Sequence, residues 1–295
     1  MISSWAPRIV WAAIAITASP ASLTGSFDPS VERQTAAAEG FLRIRQFSVG
    51  QGDASLITTP EGRRILIDAG ARTDHVAEIL REEGIDTVDL VIASHNHADH
   101  IGGMPGVLDC CVVRAYLENG VPHKSQIYIR TMQAVEMEPG LQYLKATDRT
   151  LTLGSLKLRI LAPPRQSTSQ NNSSVGVLMQ FGQFDALFTG DSERRELSEW
   201  LATAKVPRVE MLKAAHHGAW DGVTKEWAAA TSPEIVVISV SATNGYGHPD
   251  RRTEQLWAAA GARIFRTDRH GMIEVMARHD GTFTVQTHVG AAAVR

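Results

Sequence analysis

The sequence predicts an α/β protein in which two mixed β-sheets pack face to face and helices cover their outer sides. Strand and helix patterns alternate along residues 41–278. Strand pairs at 151–160 and 175–189 are joined by Gly154-Ser155 and Gly182-Gln183, short turns that are typical of antiparallel hairpins. A doubly wound parallel sheet does not contain such hairpins, so two mixed sheets are the better interpretation.

The first elements are predicted from alternation and from turn residues. Three strands are separated by the turns Gly50-Gln51-Gly52 and Pro60-Glu61-Gly62. Val76, Ile79 and Leu80 then recur at helical spacing, and Gly84 ends that helix. A short apolar strand follows. In chain order, these elements span residues 41–49, 54–58, 64–67, 74–83 and 89–94.

The rest of the chain continues the alternation. Pro139-Gly140 ends a helix, and apolar residues alternate through both hairpins. The strands predicted outside the hairpins are 112–118, 209–215, 235–240, 264–267 and 272–277, and the helices are 126–138, 193–204, 224–231 and 252–260.

The N-terminus has a different character. Arg8 precedes an apolar run at 9–16, and the small residues Ser19 and Ala21 follow, which is typical of a secretory signal. We therefore predict a signal peptide at 1–21, a linker at 22–40 and a hydrolase domain at 41–290. The prediction implies a periplasmic or secreted protein. The alternative is a membrane anchor formed by an uncleaved N-terminal segment.

Composition argues against two kinds of site, a surface for duplex DNA and a thiolate zinc site. The chain has 295 residues and a formal net charge of −3, so we expect no stable binding to duplex DNA, which requires a positive face. Its two cysteines, Cys110 and Cys111, are adjacent, and there is no Cys-x-x-Cys motif for a thiolate zinc site. Because neighbouring cysteines rarely reach disulfide geometry, we expect them to pack as small hydrophobic residues.

Residues 95–100 read His-Asn-His-Ala-Asp-His and follow directly on the predicted strand 89–94. Side chains at a strand end project into a loop where ligands can converge. His95, His97, Asp99 and His100 offer a mixture of nitrogen and oxygen ligands that suits Zn²⁺ best and that Mn²⁺ or Fe also accepts. The segment therefore predicts a metal-dependent enzyme.

This segment, together with Ile101-Gly102-Gly103, resembles the signature of the metallo-β-lactamase superfamily. The resemblance covers residues 41–278 and implies an αββα sandwich with a dinuclear metal site at the sheet edges. More narrowly, the chain resembles the hydrolase domain of competence-type DNA-uptake channel proteins, and bacterial phosphorylcholine esterases look similar. No multi-span membrane region occurs in this sequence, so we expect a stand-alone relative or a protein recruited to another substrate. The further matching segments are 49–54, 66–70, 171–174, 189–191, 216–218 and 246–249.

The resemblance also implies a ligand set. Asp191, in Thr189-Gly190-Asp191, would bridge both metals, with an N-cap role as the alternative. Most members carry a third metal-1 histidine where this chain has Asn171-Asn172. We expect His216 or His217 to fill that gap, with His123 as a weaker alternative. Metal 1 is then assigned to His95, His97, Asp191 and His216 or His217, and metal 2 to Asp99, His100, Asp191 and His248.

Several other residues are candidates around these metals. The second histidine of the 216–217 pair would contact the substrate phosphate or protonate the leaving group. Lys213 would bind substrate phosphate or be an exposed charge. Asp68 would orient a histidine, and Asp53 would support the site or only a turn. The candidate catalytic residues are thus Asp99, His216, His217 and Lys213.

Two divalent ions that share a hydroxide predict hydrolysis of a phosphodiester, because both the nucleophile and the anionic transition state are stabilised. The expected partners are single-stranded nucleic acid, a nucleotide or an envelope phosphodiester. Two alternatives stay open. One is a β-lactam or lactone hydrolase, and the other is a non-catalytic metal-binding accessory of DNA uptake or of the cell envelope.

Overall fold

The computed structural model describes residues 40–164, 167, 169–203 and 206–289. The predicted signal peptide and nearly all of the predicted linker lie outside these residues. Among the described helices, none is both long and apolar enough to cross a membrane.

The first half of the chain builds six strands of an eight-stranded sheet and four helices. The order of the strands is β17-β16-β1-β2-β3-β5-β7-β8, and β4 pairs with β6 in a separate two-stranded sheet. The elements of this half are β1 (Leu42–Gln46), β2 (Ser55–Thr58), β3 (Arg64–Ile67), α1 (Val76–Glu82), β4 (Thr87–Val88), β5 (Leu90–Ile92), α2 (Ala98–Ile101), α3 (Met104–Cys110), β6 (Val112–Val113), β7 (Ala115–Glu118), α4 (Gln126–Met137) and β8 (Gln142–Lys145).

The second half builds a seven-stranded sheet in the order β15-β14-β13-β12-β11-β10-β9, and its last two strands return to the first sheet. The elements are β9 (Arg149–Leu153), β10 (Leu156–Leu161), β11 (Gly176–Phe181), β12 (Phe184–Phe188), α5 (Arg194–Ala202), β13 (Met211–Lys213), α6 (Lys225–Thr231), β14 (Ile235–Ile238), α7 (Arg251–Ala259), β15 (Arg263–Arg266), α8 (Thr267–His270), β16 (Met272–Ala277) and β17 (Phe283–His288).

Side-chain alternation separates the core into layers. In β3, Ile65 and Ile67 enter the apolar layer between the two sheets, whereas Leu66 points to the helices outside. In β11, Val177 and Met179 face the other sheet, and Leu178 faces the helices. Because successive side chains of a strand point to opposite faces, each sheet is covered on both sides. The predicted αββα architecture is confirmed.

Two parallel blocks position the functional loops. Strands β3, β5 and β7 run parallel in the first sheet, and β12, β13, β14 and β15 run parallel in the second. The carboxyl ends of parallel strands meet at one edge of a sheet, so the loops after β5, β12, β13 and β14 gather there.

Most predicted elements lie where the sequence placed them. The hairpins are formed by β9 with β10 and by β11 with β12, in antiparallel register. Unpredicted elements are the helices α2, α3 and α8, the two-residue strand β4 and the edge strands β8 and β17. The expectation for the cysteines was wrong in one respect. Cys111 is buried, but the sulfur atoms of Cys110 and Cys111 are joined as a disulfide bond.

Candidate metal centre

The loop after β5 brings the first group of ligand atoms together. His95 Nε2 lies 3.0 Å from His97 Nδ1, and it also lies 3.7 Å from Asp191 Oδ2. His95 is fully buried, and this burial lowers its pKa well below the usual value for histidine. A neutral imidazole keeps the lone pair that a metal ion needs.

A second group lies beside the first and shares Asp191 with it. His100 Nε2 is 3.2 Å from Asp191 Oδ1, and His217 Nε2 is 3.7 Å from the same oxygen. His217 Nε2 is also 3.6 Å from Asp99 Oδ2. Burial opposes ionisation of Asp191, but the imidazoles of His100 and His217 hold its pKa well below the usual range. Both groups thus offer a metal ion an ionised carboxylate oxygen and imidazole nitrogens.

The second group has the donor set of a cation site. Asp191 Oδ1, His100 Nε2 and His217 Nε2 are all buried, and none of them has a hydrogen-bond partner. An unpaired buried polar atom is costly, and three such atoms that converge on one point are satisfied together by a metal ion. The residues present therefore fit a metal.

Neighbouring acceptors fix the orientation of both buried imidazoles. Asp68 Oδ2 accepts from His100 Nδ1 at 2.8 Å, as expected of a residue that orients a histidine. The Ser239 carbonyl accepts from His217 Nδ1 at 3.0 Å. With Nδ1 donating, Nε2 of each ring is left as the metal-facing atom.

Lys213 does not lie where a substrate-binding lysine would. It ends β13, only 2% of it is exposed, and its ammonium group pairs with Asp53 Oδ2 behind the histidines. Asp53 Oδ1 in turn lies 3.8 Å from His217 Nδ1. Burial and this ion pair disfavour contact of Lys213 with substrate phosphate, because its charge is neutralised inside the protein, and they also show that Lys213 is not the exposed charge considered as the alternative. The supporting role considered for Asp53 agrees with this geometry.

Backbone conformation separates the two adjacent histidines. His216 and His217 both adopt left-handed φ values, of 50° and 53°, which are uncommon outside glycine. His217 turns into the buried group, whereas His216 stays half-buried, with its Nδ1 2.9 Å from Asp221 Oδ1. Burial opposes its charge, but Asp221 and Asp191 raise the pKa of His216.

His248 lies farther out than the sequence placed it. Its ring packs against His216 at a centroid distance of 5.4 Å, and it belongs to neither ligand group of the described residues. Among the described residues, His217 rather than His248 lies beside Asp99 and His100, with its Nε2 3.6 Å from Asp99 Oδ2 and its ring centroid 5.3 Å from that of His100.

The two asparagines at the sequence position of the missing third histidine belong to a polar network. Asn171 and Asn172 both donate to the carboxylate of Glu193, at 2.9 and 2.5 Å. Asn171 Nδ2 also lies 3.4 Å from His216 Nε2. His123 instead contacts Ser125, at 2.8 Å.

Sequence reasoning missed Asp221 and Glu193 as partners around His216. Both are ordinary surface acids in sequence. The only signal for Asp221 is its position five residues after His216, across a turn whose shape the sequence does not reveal.

Known proteins of two kinds share sequence with this chain. The chain is 27% identical over 264 residues to ComE operon protein 3 of Bacillus subtilis, a match that covers 82% of this chain and 34% of that protein. It is 41% identical to Ribonuclease Z of Clostridium kluyveri, but only over 54 residues, which are 18% of each chain. The chain thus spans about a third of the length of the competence relative.

Solved structures show the same fold. The metallo-beta-lactamase fold protein YhfI of Bacillus subtilis matches with a TM-score of 0.52 at 12% identity, over 83% of this chain and 99% of that one. The sequence profile described as Metallo-beta-lactamase superfamily matches residues 48–241. The chain therefore belongs to the metallo-beta-lactamase superfamily of metal-dependent hydrolases.

Proposed function

We propose that the protein hydrolyses phosphodiesters with two divalent metal ions. One observation carries the proposal. The two carboxylate oxygens of Asp191 face different ligand groups, with Oδ2 near His95 Nε2 at 3.7 Å and Oδ1 near His100 Nε2 at 3.2 Å. A carboxylate in this arrangement can bridge two cations at the short separation that two-metal hydrolysis requires.

The ligand set follows from the two groups. Metal 1 would be held by His95, His97 and Asp191 Oδ2. Metal 2 would be held by the imidazoles of His100 and His217 and by carboxylate oxygens of Asp99 and Asp191. The nitrogen and oxygen donors favour Zn²⁺ and are compatible with Mn²⁺ or Fe. When bound, such a pair supplies a nucleophilic hydroxide at neutral pH and neutralises charge on the phosphate.

His216 is the residue placed to act on the substrate itself. It lies outside both ligand groups, and Asp221 holds its Nδ1, so that Nε2, which Asn171 Nδ2 approaches at 3.4 Å, is the ring nitrogen left to face a substrate. We propose that this nitrogen contacts a substrate oxygen on the leaving side. Asp221 is then a positioning residue, because it fixes the ring without reaching the substrate.

A phosphodiester is preferred over a lactam for two reasons. Metal 1 lacks a third histidine, since Asn171, Asn172 and Glu193 occupy that place through their own hydrogen bonds. The partial match to Ribonuclease Z, whose name denotes a ribonuclease, favours phosphodiester chemistry. A purely accessory role is disfavoured, because structural sites are normally closed by four protein ligands, whereas only three residues, His95, His97 and Asp191, would hold metal 1.

Metal content and a substrate panel test the proposal. Purified protein should bind close to two equivalents of Zn²⁺ or Mn²⁺ and cleave bis-p-nitrophenyl phosphate or oligothymidylate, and Asp191→Asn should lose both properties. Met137→Ala, which changes an exposed side chain on α4, is the matched control. Metal-loaded protein that cleaves neither phosphodiester would refute the proposal, and turnover of nitrocefin instead would favour the lactam alternative.

We also propose that the protein is exported, on the N-terminal pattern of residues 1–21. Sequencing of the mature N-terminus from cell fractions tests this. A mature chain that retains Met1 in the cytoplasm would contradict it.

A further inference from the structure

An exposed aromatic ring stands at the end of a row of rings that leads out of the metal centre. Tyr246 is 75% exposed and stacks on His248 at a centroid distance of 5.8 Å and an interplanar angle of 15°. His248 contacts His216 at 5.4 Å, and His216 lies 6.5 Å from the ligand His217. One face of Tyr246 is thus covered by His248, and its exposure leaves the other open to solvent.

Asn244 makes four hydrogen bonds within the loop that carries Tyr246. Asn244 Oδ1 accepts the backbone N–H groups of Tyr246 at 3.2 Å and His248 at 3.0 Å. Its Nδ2 donates to the carbonyls of Ser241 and His248, at 2.7 and 2.8 Å. A ring held on such a loop loses little conformational freedom when a ligand stacks on it, so the surface is preorganised for binding.

Trp220, which adjoins Asp221, differs from Tyr246 in having no open face. Arg194 and Arg252 lie over its ring, 5.1 Å and 4.6 Å from the indole centroid, and Arg252 also pairs with Asp250 at 2.6 Å. The protein's own cations therefore already cover Trp220, whereas Tyr246 keeps one face open. An aromatic side chain with an open face binds planar rings by stacking.

We propose that Tyr246 is a specificity-determining residue that stacks on a planar ring carried by the phosphodiester substrate. The inference rests on the proposed function for the position of the phosphate, which would lie on the metal centre. The ring attached on the Tyr246 side of that phosphate would cover the open face of the tyrosine. A substrate with an aliphatic group in that place would gain no binding affinity from stacking on Tyr246.

Binding of two matched ligands tests the proposal without relying on catalysis. The first ligand is thymidylyl-thymidine with a phosphorothioate linkage, and the second is the same two-sugar compound with hydrogen in place of both bases. Calorimetry on metal-loaded protein should show the first binding about fivefold or more tightly, since one stacked base contributes about 1–3 kcal/mol. Tyr246→Ala should remove this preference, whereas Tyr246→Phe should keep it.

The outcomes separate the two proposals. Equal affinity of the wild type for both ligands, or an undiminished preference in Tyr246→Ala, would overturn the stacking role. A loss of affinity for both ligands alike in Tyr246→Ala would also overturn it, because that result assigns the tyrosine to loop structure. If the preference depends on Tyr246 but the wild type cleaves no phosphodiester, the proposed function fails and the stacking site stands.

Discussion

Replacing Lys213 tests whether its buried ion pair with Asp53 stabilises the candidate metal centre. Lys213 and Asp53 are 2% and 4% exposed, and Asp53 Oδ1 has no hydrogen-bond partner. In Lys213→Met, Asp53 would be left buried beside two imidazoles whose Nδ1 atoms already bond Asp68 and Ser239. An unpaired buried charge of this kind costs about 3–5 kcal/mol of unfolding free energy.

The assay is urea unfolding of four proteins, the wild type, Lys213→Met, Asp53→Asn and the double variant. Removing both charges relieves the unpaired carboxylate, so the double variant should be more stable than the sum of the single losses predicts, by about 2 kcal/mol. Lys225→Met, which removes an exposed lysine, is the control and should change stability by less than about 0.5 kcal/mol. The reasoning is refuted if Lys213→Met unfolds like the wild type and raises only KM, the result expected of a lysine that binds substrate.

Three further outcomes are expected. His217→Ala should lose about half of the bound metal by elemental analysis, and His248→Ala should keep nearly all of it; the reverse would restore His248 as a ligand. Burial raises the pKa of Glu196 well above 4.5, although hydrogen bonds partly oppose this shift. The protonated carboxyl therefore contributes its full stability to the folded protein below pH 4.5. That contribution is lost as the pH rises towards the folded-state pKa. Glu196→Gln should therefore gain at least about 1 kcal/mol relative to the wild type between about pH 5 and pH 8 in urea melts, and a pH-independent difference would contradict this. Gly103→Ala should destabilise by about 1–3 kcal/mol in thermal melts, because an added Cβ would lie 2.2 Å from the Ala69 carbonyl oxygen, and an unchanged melting temperature would disprove the close contact.

Elements with a strong apolar pattern could be predicted from the sequence, and weakly patterned ones could not. Strands Arg64–Ile67 and Met272–Ala277 lie at their predicted positions. Strand Gln142–Lys145 was missed, because it is an edge strand whose side chains are largely exposed and show no alternation. The short helix Ala98–Ile101 was missed because its residues were read as ligands in an extended loop.

The ligand types were predictable from the sequence, but their partners were not. His217, rather than His248, joins the group of His100 because two consecutive left-handed residues redirect the chain, and adjacent histidines give no sign of this. The pair of Lys213 with Asp53 joins positions 160 residues apart. Such contacts depend on how the two sheets pack, which local patterns do not specify.

The two sheets are already held together around the centre by the protein's own hydrogen bonds. The Val175 N–H donates to the Ser94 carbonyl at 2.8 Å, and Ser239 Oγ donates to the Gly52 carbonyl at 2.8 Å. Each bond links a loop of the first sheet to the second sheet, beside a residue that supports or provides a ligand. Since these bonds and the apolar layer between the sheets involve no ligand atom, the ligands are positioned before metal arrives. This differs from small zinc domains, in which the metal supplies the folding energy. Removing the metals should therefore abolish catalysis while the sandwich remains folded.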